Sequence, residues 1–434
     1  MNAAPAAEAH PESYWAATAG RTRFDPLTGD SEADVAVIGG GFTGLAAAYE
    51  LNRLGRDCVV LEAHDIGWGA SGRNGGMVVP RYKHTYPALA ACYGEAVALA
   101  MHAAAHRAVD TVESIVAECA IDCGFARHGH LTPMVHASDE ARFAADAEWL
   151  ARYAGDAVPA MLSRADTARR IGTDFYRAAY YEPRGAGIHP FAYCAGLAVA
   201  LAARGVRIHT ATPALEWHSD GNAVTVSTPR GTVRAHHLVL ATNGYTDLTQ
   251  AGAALKLRIV PMVSSLIATE PLPSAIRERL LPAGHLVTDA KRLTNYFRLM
   301  PDGALLFGGR GGASNRTSTA VYRRLAHELA NIFPALAGTP LRYRWSGRVA
   351  VTLDGLPHIG ALGKSVSYAL GYNGRGVALS ALLGRMLAHR ACGEPVDAGP
   401  MSKTGFGGIP LHALRVPAKQ LAITYYRLLD AIGA

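Results

Sequence analysis

Cysteine is scarce in this sequence. Six residues (Cys58, Cys92, Cys119, Cys123, Cys194 and Cys392) in 434 are too few for a disulfide scaffold, and no CxxC pair occurs. Cys119 and Cys123, four apart, predict one helical turn and a structural role. Long apolar runs are also missing. No stretch of 18 apolar residues exists, which excludes a membrane-spanning helix. The start, MNAAPAAEAHPESYWAATAG, lacks a basic segment and an apolar core, so no signal peptide is expected. A reduced, cytoplasmic setting follows as the expectation. Charged residues are only 18% of the chain, with a net charge of +7. The cations are scattered. They permit attraction to an anionic cofactor or substrate, but no basic stripe argues for nucleic acid. Internal repeats are absent.

What is present is apolar residue, half of the chain, and 46 glycines. That supports a large core with tight turns. At about 150 residues per domain, two to three domains are expected. Residues 1–32 read as an extended arm that Tyr14 and Trp15 pin to the body. Asp34–Ile38 (DVAVI) is a short apolar run of the buried parallel-strand kind. Gly39–Gly44 is a turn, Leu45–Leu54 an alanine-rich helix, and Cys58–Leu61 a second strand, which together make one βαβ unit. Parallel-strand segments recur near 35, 58, 206, 238 and 367, with antiparallel-looking material between them, above all at 255–312. The order predicts an α/β fold: a discontinuous Rossmann-like domain (33–86, 181–254 and 341–395) with an inserted α+β domain on a mixed or antiparallel sheet (87–180 and 255–340). Residues 396–434 are the tail, whose helix carries Leu421, Tyr425, Leu428, Leu429 and Ile432 on one face.

Gly39-Gly40-Gly41-Phe42-Thr43-Gly44 fits GxGxxG in its required setting, strand before and helix after. Gly39 permits the sharp turn, Gly41 the approach of a pyrophosphate, and Gly44 close helix–strand packing. The helix N-terminus, at Phe42 and Thr43, supplies free N–H groups to phosphates. Glu62 ends the second strand, where a carboxylate accepts bonds from ribose hydroxyls and disfavours a 2′-phosphate. FAD or NAD is thus preferred to NADP. Two further loops favour FAD. The segment Gly67–Gly76 (GWGASGRNGG) holds Ala70, Ser71, Arg73, Asn74, Gly75 and Gly76 and brings backbone close to something flat or anionic. Gly371-Tyr372-Asn373-Gly374-Arg375-Gly376, followed by Val377, is another strand–turn–helix, whose dipole suits negative charge on a reduced flavin.

With these loops in view, the sequence resembles the D-amino-acid oxidase-like family of FAD-dependent oxidoreductases, and within it the branch of γ-glutamylputrescine oxidases. The resemblance runs from about Ala33 to the tail. It rests on VIGGGFTGLAAAYEL, GWGASGRNGG, GIHPFAYCAGLAVALAARGV and HLVLATNGYT, the last containing Asn243. It continues through NYFRLMPDGALLFGG, RWSGRVAVTLDGLPHIG, GYNGRGVALSALLGRMLA and ITYYRLLDAIG. It implies an FAD domain facing a mixed-sheet substrate domain, and oxidation of a C–N bond with O2 as the usual acceptor.

Amine oxidation by a flavin moves a hydride equivalent to N5, and the resulting imine hydrolyses to an aldehyde or keto acid. The cofactor carries the hard step, so no metal is required. The protein must present the amine neutral. Deprotonating an alkyl amine of pKa ~10.4 at pH 7 costs on the order of 4–5 kcal/mol. A water-poor aromatic pocket lowers that cost, so apolar lining is expected. Candidate catalytic residues are Tyr296, which the resemblance places over the flavin beside Phe297, and Tyr372 in the second glycine turn. Arg298 and Arg348 are candidates for holding a substrate carboxylate.

Sarcosine-oxidase relatives carry a substrate-binding lysine where Ala378 stands here, and an oxygen-activating lysine where Leu306 stands. Neither position has a cysteine nearby, so FAD is expected to be non-covalent; these gaps, the two lysines included, disfavour small N-methyl amino acids as substrates. His128 and His130 would share a strand face, with His136 following, but no carboxylate or thiol completes a metal set. The leading expectation is oxidation of a polyamine derivative or related primary or secondary amine, with O2 reduced to H2O2. One alternative is an amino- or hydroxy-acid dehydrogenase passing electrons to a quinone, with Arg415 and Lys419 touching a membrane. The other is a flavin-binding subunit without turnover.

Overall fold

The computed structural model describes residues 10–312, 319–402 and 406–432, excluding the side chains of 310–312 and 432. Residues 1–9 of the expected arm, and the side chain of Ile432, lie outside this set.

The five apolar segments form one parallel array. Val366–Leu370, Gly231–Leu240, Ser31–Ile38, Cys58–Leu61 and Arg207–His209 lie side by side in that order. Both faces of the array are covered, and the side chains alternate between them as a two-residue period requires. Val35, Val37 and Val60 enter one core with the helices Phe42–Arg53, Glu95–Glu118, Pro190–Ala203 and Gly376–Ala391. Ala36, Ile38, Val59 and Leu61 enter the other, under the antiparallel strands Glu216–Ser219 and Val224–Thr228. Alanine-rich helices allow close approach: a Cβ on Gly384 would lie 2.5 Å from Thr43 O and 2.8 Å from Ala46 Cβ.

A second, eight-stranded sheet stands apart. Its order is Leu341–Val351, Val260–Thr269, Leu305–Gly312, Asn295–Leu299, Leu286–Thr288, His130–Met134, Ala178–Glu182 and Ala160–Leu162. Every pair is antiparallel except Leu286–Thr288 with His130–Met134. The sheet is mixed, and its strands come from stretches that interleave with those of the first.

Several boundaries differ from the sequence reading. Residues 341–351, expected with the nucleotide half, pair with Val260–Thr269 over ten residue pairs and complete the second sheet. Residues 95–118, expected with the inserted half, bury Met101, Ala105, Val109 and Val112 in the first core. Cys119 and Cys123 share no helical turn, because the helix stops at Glu118. The arm is not wholly extended. Tyr14–Thr18 is a short helix capped by Ser13, and Trp15 is fully buried with its indole N–H donating to Asn74 O at 2.8 Å. The tail helix Arg415–Ile432 exposes Leu421, Tyr425 and Leu428 and buries Ile423. Lys419, which the quinone-linked alternative would set at a membrane surface, is buried and donates to Pro261 O at 3.4 Å. No described helix is long and apolar enough to cross a membrane.

Candidate functional site

The first glycine turn sits at the carboxyl end of the Ser31–Ile38 strand. There the chain order reverses across the sheet, the point at which open parallel sheets bind their ligands. Gly39 has φ +114°, which an L side chain rarely adopts. A Cβ on Gly44 would lie 1.9 Å from Gly39 O, so the helix can approach the strand only with glycine there. Ser71 Oγ accepts from Phe42 N–H at 3.0 Å, which ties the second glycine loop to the start of this helix. Glu62 receives Gly40 N–H on Oε2 at 2.7 Å and His64 N–H on Oε1 at 2.9 Å. Burial pushes this carboxyl up, and those N–H bonds oppose the shift. A fixed carboxylate beside a glycine turn and a helix N-terminus is the arrangement that a ribose and pyrophosphate require. The residues present fit the adenosine end of FAD.

The second and third loops meet at a cavity of about 450 Å³. Ala70, Arg73, Asn74 and Gly75 line it from one loop, Asn373, Gly374, Arg375 and Val377 from another. Asn373 (φ +53°) and Gly374 (φ +85°) turn the chain left-handed just before the Gly376–Ala391 helix. Successive N–H groups in such a turn, followed by a helix N-terminus, favour negative charge. Asn243 does not line the cavity; its Oδ1 accepts from Gly371 N–H at 2.9 Å and fixes the turn. Gly76 also serves backbone packing, since a Cβ there would lie 2.2 Å from Ile188 O. Phe42 is a core side chain packed against Tyr193, so only its backbone serves the site.

The structure separates the four catalytic candidates. Tyr296 lines the cavity, with its hydroxyl 2.8 Å from Ser264 Oγ. Its ring fills the space that a Cβ on Gly75 or Gly308 would need. Arg348 also lines the cavity, held by Asp247 Oδ1 at 2.8 Å and lying over the Tyr245 ring. Tyr372 does not reach it. The ring is buried in the first core, and its hydroxyl shares a 2.8 Å hydrogen bond with Thr43 Oγ1. Arg298 does not reach it either. Its Nη1 donates to Gly76 O and Ile188 O, both at 3.0 Å, and burial lowers its pKa to about 10. A guanidinium committed to two carbonyls braces the backbone rather than gripping a substrate carboxylate.

The lining is more polar than expected. Phe143 and Tyr296 are its aromatic residues. Arg73, Lys83, Arg142, Lys291, Arg292, Arg348 and Arg375 face it against two acids, Asp139 and Asp289. Several cations are backed by carboxylates outside the lining: Arg348 by Asp247, Lys291 by Glu328, Arg292 by Asp430. The lining itself thus carries seven cations against two acids, with three of the cations ion-paired to carboxylates behind it. Like charge in the lining acts in the same direction as burial, disfavouring an ammonium ion.

Asp289 was not singled out from the sequence. Its Oδ1 accepts from Asn295 N–H at 2.9 Å, and Oδ2 has no hydrogen-bond partner among the described residues. Burial pushes the carboxyl up to about 7, with Lys291 pulling the other way. The signal available was the charged run Asp-Ala-Lys-Arg at 289–292 between two strands. The histidines of HGH diverge: His128 lies under Gly284, His130 Nε2 is 3.0 Å from Thr288 Oγ1, and His136 Nε2 is 2.8 Å from Asp430 O.

Comparison with known proteins places the chain among flavoenzymes. The family described as FAD dependent oxidoreductase matches residues 34–390. The chain is 32% identical to gamma-glutamylputrescine oxidoreductase of Escherichia coli strain K12 over 433 residues, covering 98% of this chain and 99% of that one. Among solved structures, glycine oxidase from Geobacillus kaustophilus superposes with a TM-score of 0.74 at 21% identity, covering 87% of this chain and all of that one. L-proline dehydrogenase from P. horikoshii gives 0.70 at 22% identity, covering 85% and 95%. These two likenesses concern the fold.

Proposed function

The chain belongs to the family of FAD-dependent oxidoreductases, and from that membership we propose that it oxidises the C–N bond of a small amine carrying an anionic group. The observation that carries this reading is the cavity where the glycine loops meet, with its inward cations and one buried carboxyl near neutrality. A γ-glutamylated polyamine, the compound in the name of the Escherichia coli relative, fits that description. It has an amine to oxidise and a carboxylate to anchor.

FAD, when bound, supplies the two-electron acceptor for the hydride equivalent leaving the carbon next to nitrogen. The Gly39–Gly44 turn and Glu62 would hold its adenosine end. Ala70–Gly75 and Asn373–Val377 would enclose its ring, and we take the bond-free mode of binding, since no cysteine is among the described residues lining the cavity. The protein's own work is positional and electrostatic. Arg348, fixed by Asp247, and the rim cations Arg142, Lys291 and Arg292 draw in the anionic end. The same charges oppose protonation of the amine, and Asp289 is the group we assign to take its proton. Tyr296, anchored on Ser264, closes the wall beside the loop at Gly75. The imine product leaves for hydrolysis, and O2 is the proposed final acceptor.

The test is an anaerobic panel of amines read by flavin bleaching, then repeated in air with a peroxide assay. Carboxylated amines should bleach the flavin fastest and give one peroxide per turnover. Bleaching by hydroxy acids and by no amine would refute the reading. Dye reduction without peroxide would move the acceptor from O2 to a quinone.

A further inference from the structure

A second cluster of side chains lies away from the cavity. The Glu95–Glu118 helix carries His102 and His106 four residues apart, hence on one face. Asp156, just beyond the Ala137–Tyr153 helix, faces them. One nitrogen or oxygen from each lies within 4.8 Å of the other two. His102 Nε2 stands 3.0 Å from Asp156 Oδ2, with both side chains largely shielded. Among the described residues, His106 Nε2 and His102 Nδ1 are buried with no hydrogen-bond partner. Buried imidazole nitrogens are ordinarily paired, so this set has capacity for something it does not hold within the protein. None of the three residues lines the cavity.

We propose that His102, His106 and Asp156 form a binding site for a zinc-class divalent cation, a structural ion separate from the flavin site. Two imidazoles and a carboxylate suit zinc, with water completing a tetrahedron. The surroundings supply the outer contacts that metal-binding carboxylates need. Arg184 Nη2 donates to Asp156 Oδ2 at 2.8 Å, and Val158 N–H donates to Oδ1 at 3.2 Å. The Arg184 charge is matched by Glu182, which accepts from its Nε at 2.7 Å and its Nη2 at 2.8 Å. Asp156 thus retains its charge for the ion. The ion would join a helix of the first core to the loop after a helix that packs on the second sheet, stapling the two halves.

The experiment uses the full-length, flavin-loaded protein, stripped with chelator and titrated with zinc chloride by calorimetry, with melting followed in parallel. One equivalent per chain should bind, and the melting temperature should rise by about 2–5 °C. His106→Gln and Asp156→Asn should lose both effects while keeping full flavin content, and His236→Gln, at an exposed site, should lose neither. Zinc-edge X-ray absorption of the one-to-one complex gives a reading independent of variants, with two imidazole nitrogens expected. An all-oxygen shell, no saturable equivalent, or unchanged binding by His106→Gln would each overturn the proposal.

Discussion

The two residues that most directly shape the proposed chemistry are Tyr296 and Asp289. Tyr296 is held by what lies behind it as much as by its Ser264 bond. A Cβ on Gly308 would lie 2.3 Å from the ring's Cζ, so Gly308→Ala must push the ring toward the cavity. Flavin reduction by substrate should slow by roughly 10-fold or more, as misplacement of a positioning group does. The melting temperature should fall far less than the rate. Equal losses would mean that Tyr296 only packs. Asp289 makes a prediction in pH. Its carboxyl is raised in the folded protein, so the folded state holds a proton that the unfolded state has released between about pH 4 and 7. Its contribution therefore becomes less favourable as pH rises through that window, and the full penalty applies above 7. Asp289→Asn keeps the oxygen that accepts from Asn295 and removes the charge. Its melting temperature should match the wild type near pH 4 and exceed it most at pH 8. The same variant should lose the acid limb of kcat/KM. A constant difference in melting at every pH would sink the assignment.

At the scale of elements, Arg298 shows how a strand of the second sheet is fastened to the glycine loop of the first half. It lies on the Asn295–Leu299 strand and reaches Gly76 O and Ile188 O. Gly76 O also receives Ile188 N–H at 2.9 Å, so Arg298→Met leaves the Ile188 carbonyl as the group that loses most. That should cost about 1–3 kcal/mol in urea unfolding, reduced by the relief of a buried charge. KM for a carboxylated amine should stay within about twofold, because the guanidinium does not face the cavity. A large rise in KM with unchanged stability would restore Arg298 as a substrate anchor. The same element shows which parts of the molecule were legible in the sequence. Runs such as DVAVI and HLVL announce strands covered on both faces, since only those are apolar without alternation. The Gly39–Gly44 turn is legible because its spacing answers local backbone needs. Arg298 and Tyr372 were not legible as braces. Both sit in loops or strands that do approach the site, and which way each side chain points depends on contacts 110 and 329 residues away. The Leu341–Val351 strand went to the wrong half for a similar reason: its partner, Val260–Thr269, precedes it by some eighty residues.

At the scale of the whole molecule, the cavity wall is assembled from segments between residues 70 and 377, and its rim depends on the far end of the chain. Asp430, near the end of the tail helix, accepts Arg292 N–H on Oδ1 at 2.9 Å and Leu293 N–H on Oδ2 at 3.0 Å. Its carbonyl oxygen lies 2.8 Å from His136 Nε2, just before the helix that carries Asp139, Arg142 and Phe143 to the cavity. One helical turn thus holds both the Asp289–Arg292 turn and the start of the opposing helix. The tail has few apolar anchors, with Ile423 buried but Leu421, Tyr425 and Leu428 exposed, so these polar bonds carry much of its attachment. Asp430→Ala should free the turn bearing Lys291 and Arg292. KM for an anionic amine should rise roughly 10-fold, about 1.4 kcal/mol, while the limiting rate of flavin reduction changes little. Trypsin should cut after Lys291 or Arg292 faster than in the wild type, a readout that needs no substrate. If KM rises and cleavage does not, Asp430 acts on the substrate by some route other than the rim. If neither changes, the tail is an appendage and the rim cations are positioned by the second sheet alone.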